Sequence, residues 1–138
     1  MVALARRAFG EYSPRAGVKS ARAAMHPGVV TLVAVLGDAP AGFATLAVHA
    51  EGGRVIASLD AIAVEPEHRG RGVGKTLLAG AERKAKAAGA AELTLVTAEA
   101  NLAALDLFLR SGFEIYARLG RYYERGQNAV RMRKKLAP

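Results

Sequence analysis

Apolar and polar positions change period several times along this chain, and each change marks an element. Residues Val2 to Phe9 begin at helical spacing, with Leu4, Ala5 and Ala8 on one face. Pro14 suits a first helical turn and opens a second expected helix, which runs to about Met25 and is stopped by His26-Pro27-Gly28. Val29 to Leu36 and Gly42 to Val48 are runs of strand type, separated by Gly37-Asp38-Ala39-Pro40, which reads as a hairpin turn. Glu51-Gly52-Gly53 turns the chain into a third strand, Arg54 to Val64. Pro66 ends it, because proline cannot donate to a sheet ladder.

From Gly72 to Ala88 the period lengthens. Val73, Leu77, Leu78, Ala81, Ala85 and Ala88 recur at helical spacing, while Lys75, Glu82, Arg83 and Lys86 take the other face. Gly89 stands where a left-handed residue would end that helix. Leu93 to Thr97 is a short apolar strand. Asn101 follows as an N-cap, with a helix to about Arg110 closed by Gly112. Phe113 to Leu119 and Ala129 to Leu136 are expected as the last two strands. Three strands, then helix, strand, helix and two strands, after two opening helices, describe an α/β (α+β) fold with a mixed central sheet flanked by helices. No repeat or linker divides it, so residues 1–138 are expected to form one domain.

Composition narrows this picture. The 138 residues contain no cysteine, which excludes a disulfide framework and the Cys-rich zinc sites. His26 and His49 occupy turns and carry no metal-ligand spacing, so no metal is expected. A chain of this length buries roughly 68% of its unfolded surface, enough for a core. Its longest apolar runs fall short of the roughly 18 residues that a membrane span needs, and no leader opens it, so a cytoplasmic protein with no membrane association is expected, as a monomer or homodimer. The net charge is +8, but residues 1–68 carry six basic and six acidic side chains and residues 69–138 fourteen and six. A basic half implies nucleic acid, an anionic membrane or a polyanionic small ligand.

Val64-Glu65-Pro66-Glu67-His68-Arg69-Gly70-Arg71-Gly72-Val73-Gly74-Lys75 chooses among these. Glycines at alternate positions between a strand and a helix allow successive backbone N–H groups to point into one concavity, and the helix N-terminus adds roughly half a positive charge. Arg69, Arg71 and Lys75 add charge-assisted donors suited to a pyrophosphate. The plainer alternative is a strand-to-helix turn with solvated basic residues. A P-loop would require glycine where Arg69 stands, and a dinucleotide fingerprint would require it at Lys75.

The stretch resembles the acyl-CoA signature of the GNAT superfamily of N-acetyltransferases, Arg/Gln-x-x-Gly-x-Gly/Ala, in Arg69, Gly72 and Gly74. Ile62, Val64 and Pro66 are similar to the end of the strand before that loop. Asn101, Ala104, Leu107, Phe108, Gly112 and Phe113 are similar to the family's following motif, and the likeness extends over about residues 28–136. It implies that acetyl-CoA is the cosubstrate, its pantetheine arm along Ile62, Ala63 and Val64 and its pyrophosphate in the loop Arg69, Gly70, Arg71, Gly72, Val73, Gly74 and Lys75. The acetyl carbonyl would lie where two strands splay apart, and a backbone N–H near Val64 would stabilise the developing oxyanion. Asn101 would contact the cofactor, its N-cap role being compatible with this. Phe108 would line the cofactor groove or pack in the core.

The resemblance is to the ribosomal-protein and peptide N-terminal acetyltransferases, and the departures from it are specific. Phe108 replaces a tyrosine that protonates the leaving thiolate, and Val96 replaces a glutamate, so the catalytic acid and base are unknown. Asp60 and Glu99 are the nearest carboxylates, each with a surface or capping role as the alternative. His68 is expected to face phosphate or solvent. Tyr122 and Tyr123 are similar to the hairpin aromatics that hold a substrate peptide, the alternative being cover for the sheet edge. Because the family opens with a strand and this chain opens at helical spacing, the first edge strand is expected to be missing.

Direct acyl transfer needs no protein nucleophile, in agreement with the absence of cysteine and of a serine elbow. The expected reaction is transfer of acetyl from acetyl-CoA to a primary amine, a peptide or protein N-terminus or lysine. The alternatives are a small amine (an aminoglycoside, polyamine or amino acid) and a CoA-binding domain without turnover. Nucleic acid is not expected, for lack of a recognition helix or stacking platform.

Overall fold

The computed structural model describes residues 17–22 and 28–136. The helical segment expected at Val2 to Phe9 lies outside them. Seven strands form one sheet: β1 (Gly17–Arg22), β2 (Val29–Leu36), β3 (Ala39–Glu51), β4 (Arg54–Val64), β5 (Glu92–Ala98), β6 (Glu114–Leu119) and β7 (Ala129–Lys135), in spatial order β1-β2-β3-β4-β5-β7-β6. Two α-helices stand among the described residues, α1 (Val73–Ala87) and α2 (Leu102–Arg110), with a short 3₁₀ turn at Pro66–His68.

The beginning corrects two expectations. Over its described part the segment expected as a helix from Pro14 to Met25 is strand β1, paired antiparallel with β2 from Gly17↔Val35 to Arg22↔Val30. The first edge strand is therefore present, and β2 is not left with an open edge. Alanine, serine and lysine set only a weak local preference here, and the unpaired N–H and C=O groups along β2 outweigh it.

The remaining strands follow their sequence patterns closely. Gly37-Asp38 makes the β2–β3 turn, with Gly37 at φ 62, so β3 starts at Ala39 and not at Gly42. Gly42 is required by a close approach: a Cβ there would stand 2.5 Å from the carbonyl oxygen of Ala63 on β4. Helix α1 buries Val73, Leu77, Leu78, Ala81 and Ala85 against the sheet. Burying each of the two leucines contributes about 1.5–3 kcal/mol. Gly89, at φ 98, ends α1 just after its C-cap Ala88. Asn101 caps α2, its Oδ1 accepting from Ala104 N at 3.2 Å.

A single main core lies between the helices and one face of the sheet, built on Leu32, Leu46, Leu77, Leu78, Leu93 and Met132. Phe108 and Phe113 join it with ring centroids 5.8 Å apart. The Lys134 ammonium pairs with Glu82 at 2.7 Å and ties α1 to β7.

Candidate active site

The sheet has one parallel junction, and it is short. β4 and β5 pair only through Ala57↔Leu93, Ser58↔Thr94 and Leu59↔Leu95. Beyond Leu59 the two strands part, although β4 continues to Val64 and β5 to Ala98. A bulge in β4 sits at the parting: Leu46 of β3 opposes Leu59 and Thr45 opposes Ala61, which leaves Asp60 as the extra residue. The bulge also changes the facing of the strand. Val55, Ala57 and Leu59 meet the core before it, and Ile62 and Val64 after it. Asp60 is exposed, and its Oδ1 accepts from Ser58 Oγ at 3.0 Å.

Past β4 the glycine turn leads into α1. Gly70 and Gly72 hold φ 80 and 78, left-handed backbone that an L side chain rarely adopts. No side chain caps α1; its first backbone bond runs from Thr76 N to Gly72 O at 3.0 Å, so the N–H groups of Val73, Gly74 and Lys75 have no helical partner. Neither Arg69, Arg71 nor Lys75 makes an ion pair among the described residues. Three orphan amides beside these three cations form a place for a polyanion.

Two adjoining cavities open along this side. The larger, about 740 Å³, runs from Ile62, Ala63 and Val64 past His68, Arg69 and Gly70. It continues over Gly72, Val73, Gly74 and Lys75 to α2, where Asn101, Leu107 and Arg110 complete the wall. Every proposed cofactor contact lies on it except Arg71, which is exposed beside the turn, and Phe108. The smaller cavity, about 340 Å³, fills the parting of β4 and β5 and is walled by Asp60, Val96, Thr97, Phe108 and Tyr123. Ile62, Asn101 and Ala104 line both, so the two spaces adjoin at these residues. Phe108 is thus at once a core residue and a wall of the smaller cavity.

The remaining candidates fall outside these cavities. Arg118 grips the Glu99 carboxylate through Nε and through Nη2, the latter at 2.7 Å, and Asn128 Nδ2 adds a bond at 3.4 Å. The Arg118 bonds hold the Glu99 carboxyl below the usual carboxylate range. Asn128 Oδ1 also accepts from Arg121 N at 3.1 Å, so this cluster fixes the loop between β6 and β7. Tyr122 is about half exposed at the lip and meets Tyr123 edge-on, centroids 5.0 Å apart.

Sequence reasoning did not single out Thr97, Arg110 or Arg118. A basic residue in the last turn of α2 was a visible signal for Arg110. The Glu99–Arg118–Asn128 cluster joins residues 29 positions apart and left no local signal. Among the described residues no group of three or more His, Asp or Glu is placed to hold a metal ion, and no helix is long and apolar enough to cross a membrane.

Comparison with known proteins adds a family. The acetyltransferase (GNAT) family matches residues 1–113. No curated protein sequence matches. Among solved structures, nourseothricin acetyltransferase is 31% identical, with a TM-score of 0.72 over 80% of this chain and 67% of that one. The NatC complex bound to Gag peptide and CoA contains a chain that is 28% identical, with a TM-score of 0.71 over 78% and 71%. A structure from Bacillus anthracis, assigned as a streptothricin acetyltransferase and in complex with acetyl coenzyme A, is 25% identical, with a TM-score of 0.72 over 82% and 65%.

Proposed function

The chain belongs to the acetyltransferase (GNAT) family and is an acetyl-CoA-dependent N-acetyltransferase, and from that premise we propose that it acetylates the α-amino group of a peptide or protein. In this reading residues 1–138 act as one catalytic domain. The larger cavity takes acetyl-CoA: the first-turn amides of α1 with Arg69, Arg71 and Lys75 hold the pyrophosphate, and the parted edge of β4 at Ile62 to Val64 meets the pantetheine amides. The acetyl group then reaches the junction of the two cavities, beside Ile62 and Asn101, where a backbone N–H near Val64 bonds the oxyanion as it forms.

The acceptor is read from the smaller cavity, and one observation carries it. Among the described residues its walls hold two ionisable side chains, Asp60 and Tyr123, and no histidine, lysine or arginine. A single carboxylate suits one incoming ammonium. Without a dedicated base, an amine that is already partly neutral is favoured: at pH 7.5 roughly a third of α-amino groups are neutral, against about 0.1% of lysines. The half-exposed Tyr122 beside Tyr123 offers a flat face for the peptide that trails from its amine. Glu99 belongs to the scaffold in this reading, since its charge is already matched by Arg118.

The 31% identity to nourseothricin acetyltransferase favours a second reading, in which the acceptor is a small amine. Acetylation of a mixed library of peptides and small amines, read by mass spectrometry, separates the two. The peptide reading expects a gain of one acetyl at the N-terminal amine. Products confined to small amines would overturn it.

A further inference from the structure

We propose that the Tyr123 hydroxyl gives the departing CoA sulfur its proton, a part that Phe108 is unable to play. This rests on the transfer reading above. Phe108, 3% exposed and tilted against Phe113, presents only ring carbon to the smaller cavity. Among the described residues the ionisable groups across that cavity are a carboxyl and a phenol. A carboxylate offers only acceptor oxygens, whereas a phenol has an O–H to donate. Asp60 therefore suits the arriving ammonium, and Tyr123 suits the leaving group.

Tyr123 is also held in place, as a proton donor must be. Its N–H donates to Gln127 O at 3.2 Å, its carbonyl accepts from Gly126 N at 2.8 Å, and its ring meets Tyr122 edge-on. The loop enters through Arg121 at φ 52, a left-handed backbone that a non-glycine residue adopts only when its surroundings fix it, and Asn128 Oδ1 receives that residue's N–H.

The step balances. The amine nitrogen, once its ammonium has released one proton to water, attacks the thioester carbon, forming C–N and placing the carbonyl pair on oxygen. Collapse re-forms C=O and breaks C–S, and the bonding pair leaves on sulfur. The phenol proton passes to sulfur, and the phenolate takes the proton that nitrogen sheds, directly or through water. The products are an N-acetyl amide and the CoA thiol, with Tyr123 restored.

Tyr123→Phe keeps the ring and removes the hydroxyl, so it separates chemistry from packing. With the peptide substrate found in the library, kcat is expected to fall about 10²–10⁴-fold. The KM for peptide and the CoA dissociation constant, which also reports folding, should stay within about threefold. Tyr116→Phe, on exposed β6, should leave kcat unchanged. If wild type transfers acetyl and Tyr123→Phe retains kcat within about threefold, or loses activity only through KM, the proton-donor assignment is wrong and the transfer reading stands. If wild type acetylates no peptide or amine, both fall.

Discussion

Gly74 and Leu107 face each other so closely that a Cβ on the glycine would stand 3.2 Å from the leucine Cδ2, with Val64 Cγ2 at 3.7 Å. Unlike Gly70 and Gly72, Gly74 holds no left-handed backbone; what it provides is room for α2 to lie over the first turn of α1. The same turn supplies the orphan amides of the larger cavity.

Gly74→Leu is expected to push α2 away from α1, cost about 1–3 kcal/mol by overpacking, and weaken acetyl-CoA binding at least tenfold. Gly74→Ala asks Leu107 to yield by only a few tenths of an ångström and should change stability by less than about 1 kcal/mol. Adding Leu107→Ala to Gly74→Leu should restore part of both losses. Thermal unfolding and calorimetry on wild type, Gly74→Leu, Leu107→Ala and the double variant check this, and an additive double-mutant cycle would disprove the contact.

Acetyl-CoA affinity should depend on the cations of the glycine turn. Removing Arg69 or Lys75 takes away a charge-assisted bond worth about 1.5–3 kcal/mol, so each alanine variant should weaken binding roughly 10- to 150-fold. Binding should also weaken as salt rises from about 50 to 300 mM, because these side chains are exposed and screened. Calorimetric titration at the two salt concentrations gives both results.

Asp60→Asn should raise the KM for the acceptor amine about tenfold and leave CoA affinity within about twofold. The side chain is exposed and bonded only to Ser58 among the described residues, so the sheet should keep its melting temperature. Steady-state kinetics with varied peptide test this; an unchanged KM would remove Asp60 from the acceptor site.

The Glu99–Arg118 pair gives acid sensitivity a definite sign. The folded Glu99 carboxyl lies lower than the unfolded one, near 4.3, so its contribution is present above that value and is lost as pH falls through the lower folded value. Glu99→Gln should therefore flatten the fall of melting temperature between about pH 5 and pH 3. Because the pair is exposed, the effect should be small and should shrink in high salt.

Much of this architecture was written locally. Strands β2 and β4 begin and end where their apolar runs do, and α1 falls within one residue of its 3.6-residue period at each end. Asn101 was legible as a cap because its carbonyl oxygen has one neighbouring N–H to satisfy. Strand β1 was not: Gly17–Arg22 has no alternating apolar face, and only pairing with β2 makes it a strand. The glycine turn could be read because backbone geometry demands particular residues. The meeting of Asp60, Phe108 and Tyr123 could not, since three elements distant in sequence build it. A trace was present at Leu59-Asp60-Ala61-Ile62, where the alternation slips by one at the bulge.

The three-rung junction between β4 and β5 bears on selectivity. Both partners of the proposed reaction, a pantetheine arm and a peptide, are extended chains of amides. The parted strand edges offer amide groups in turn, and backbone recognises backbone without regard to side chains. Discrimination among acceptors then falls to the few side chains at the lip, Asp60, Tyr122 and Tyr123. An enzyme built this way should accept many N-terminal sequences, and changing those three residues should redirect its preference while the sheet stays as it is.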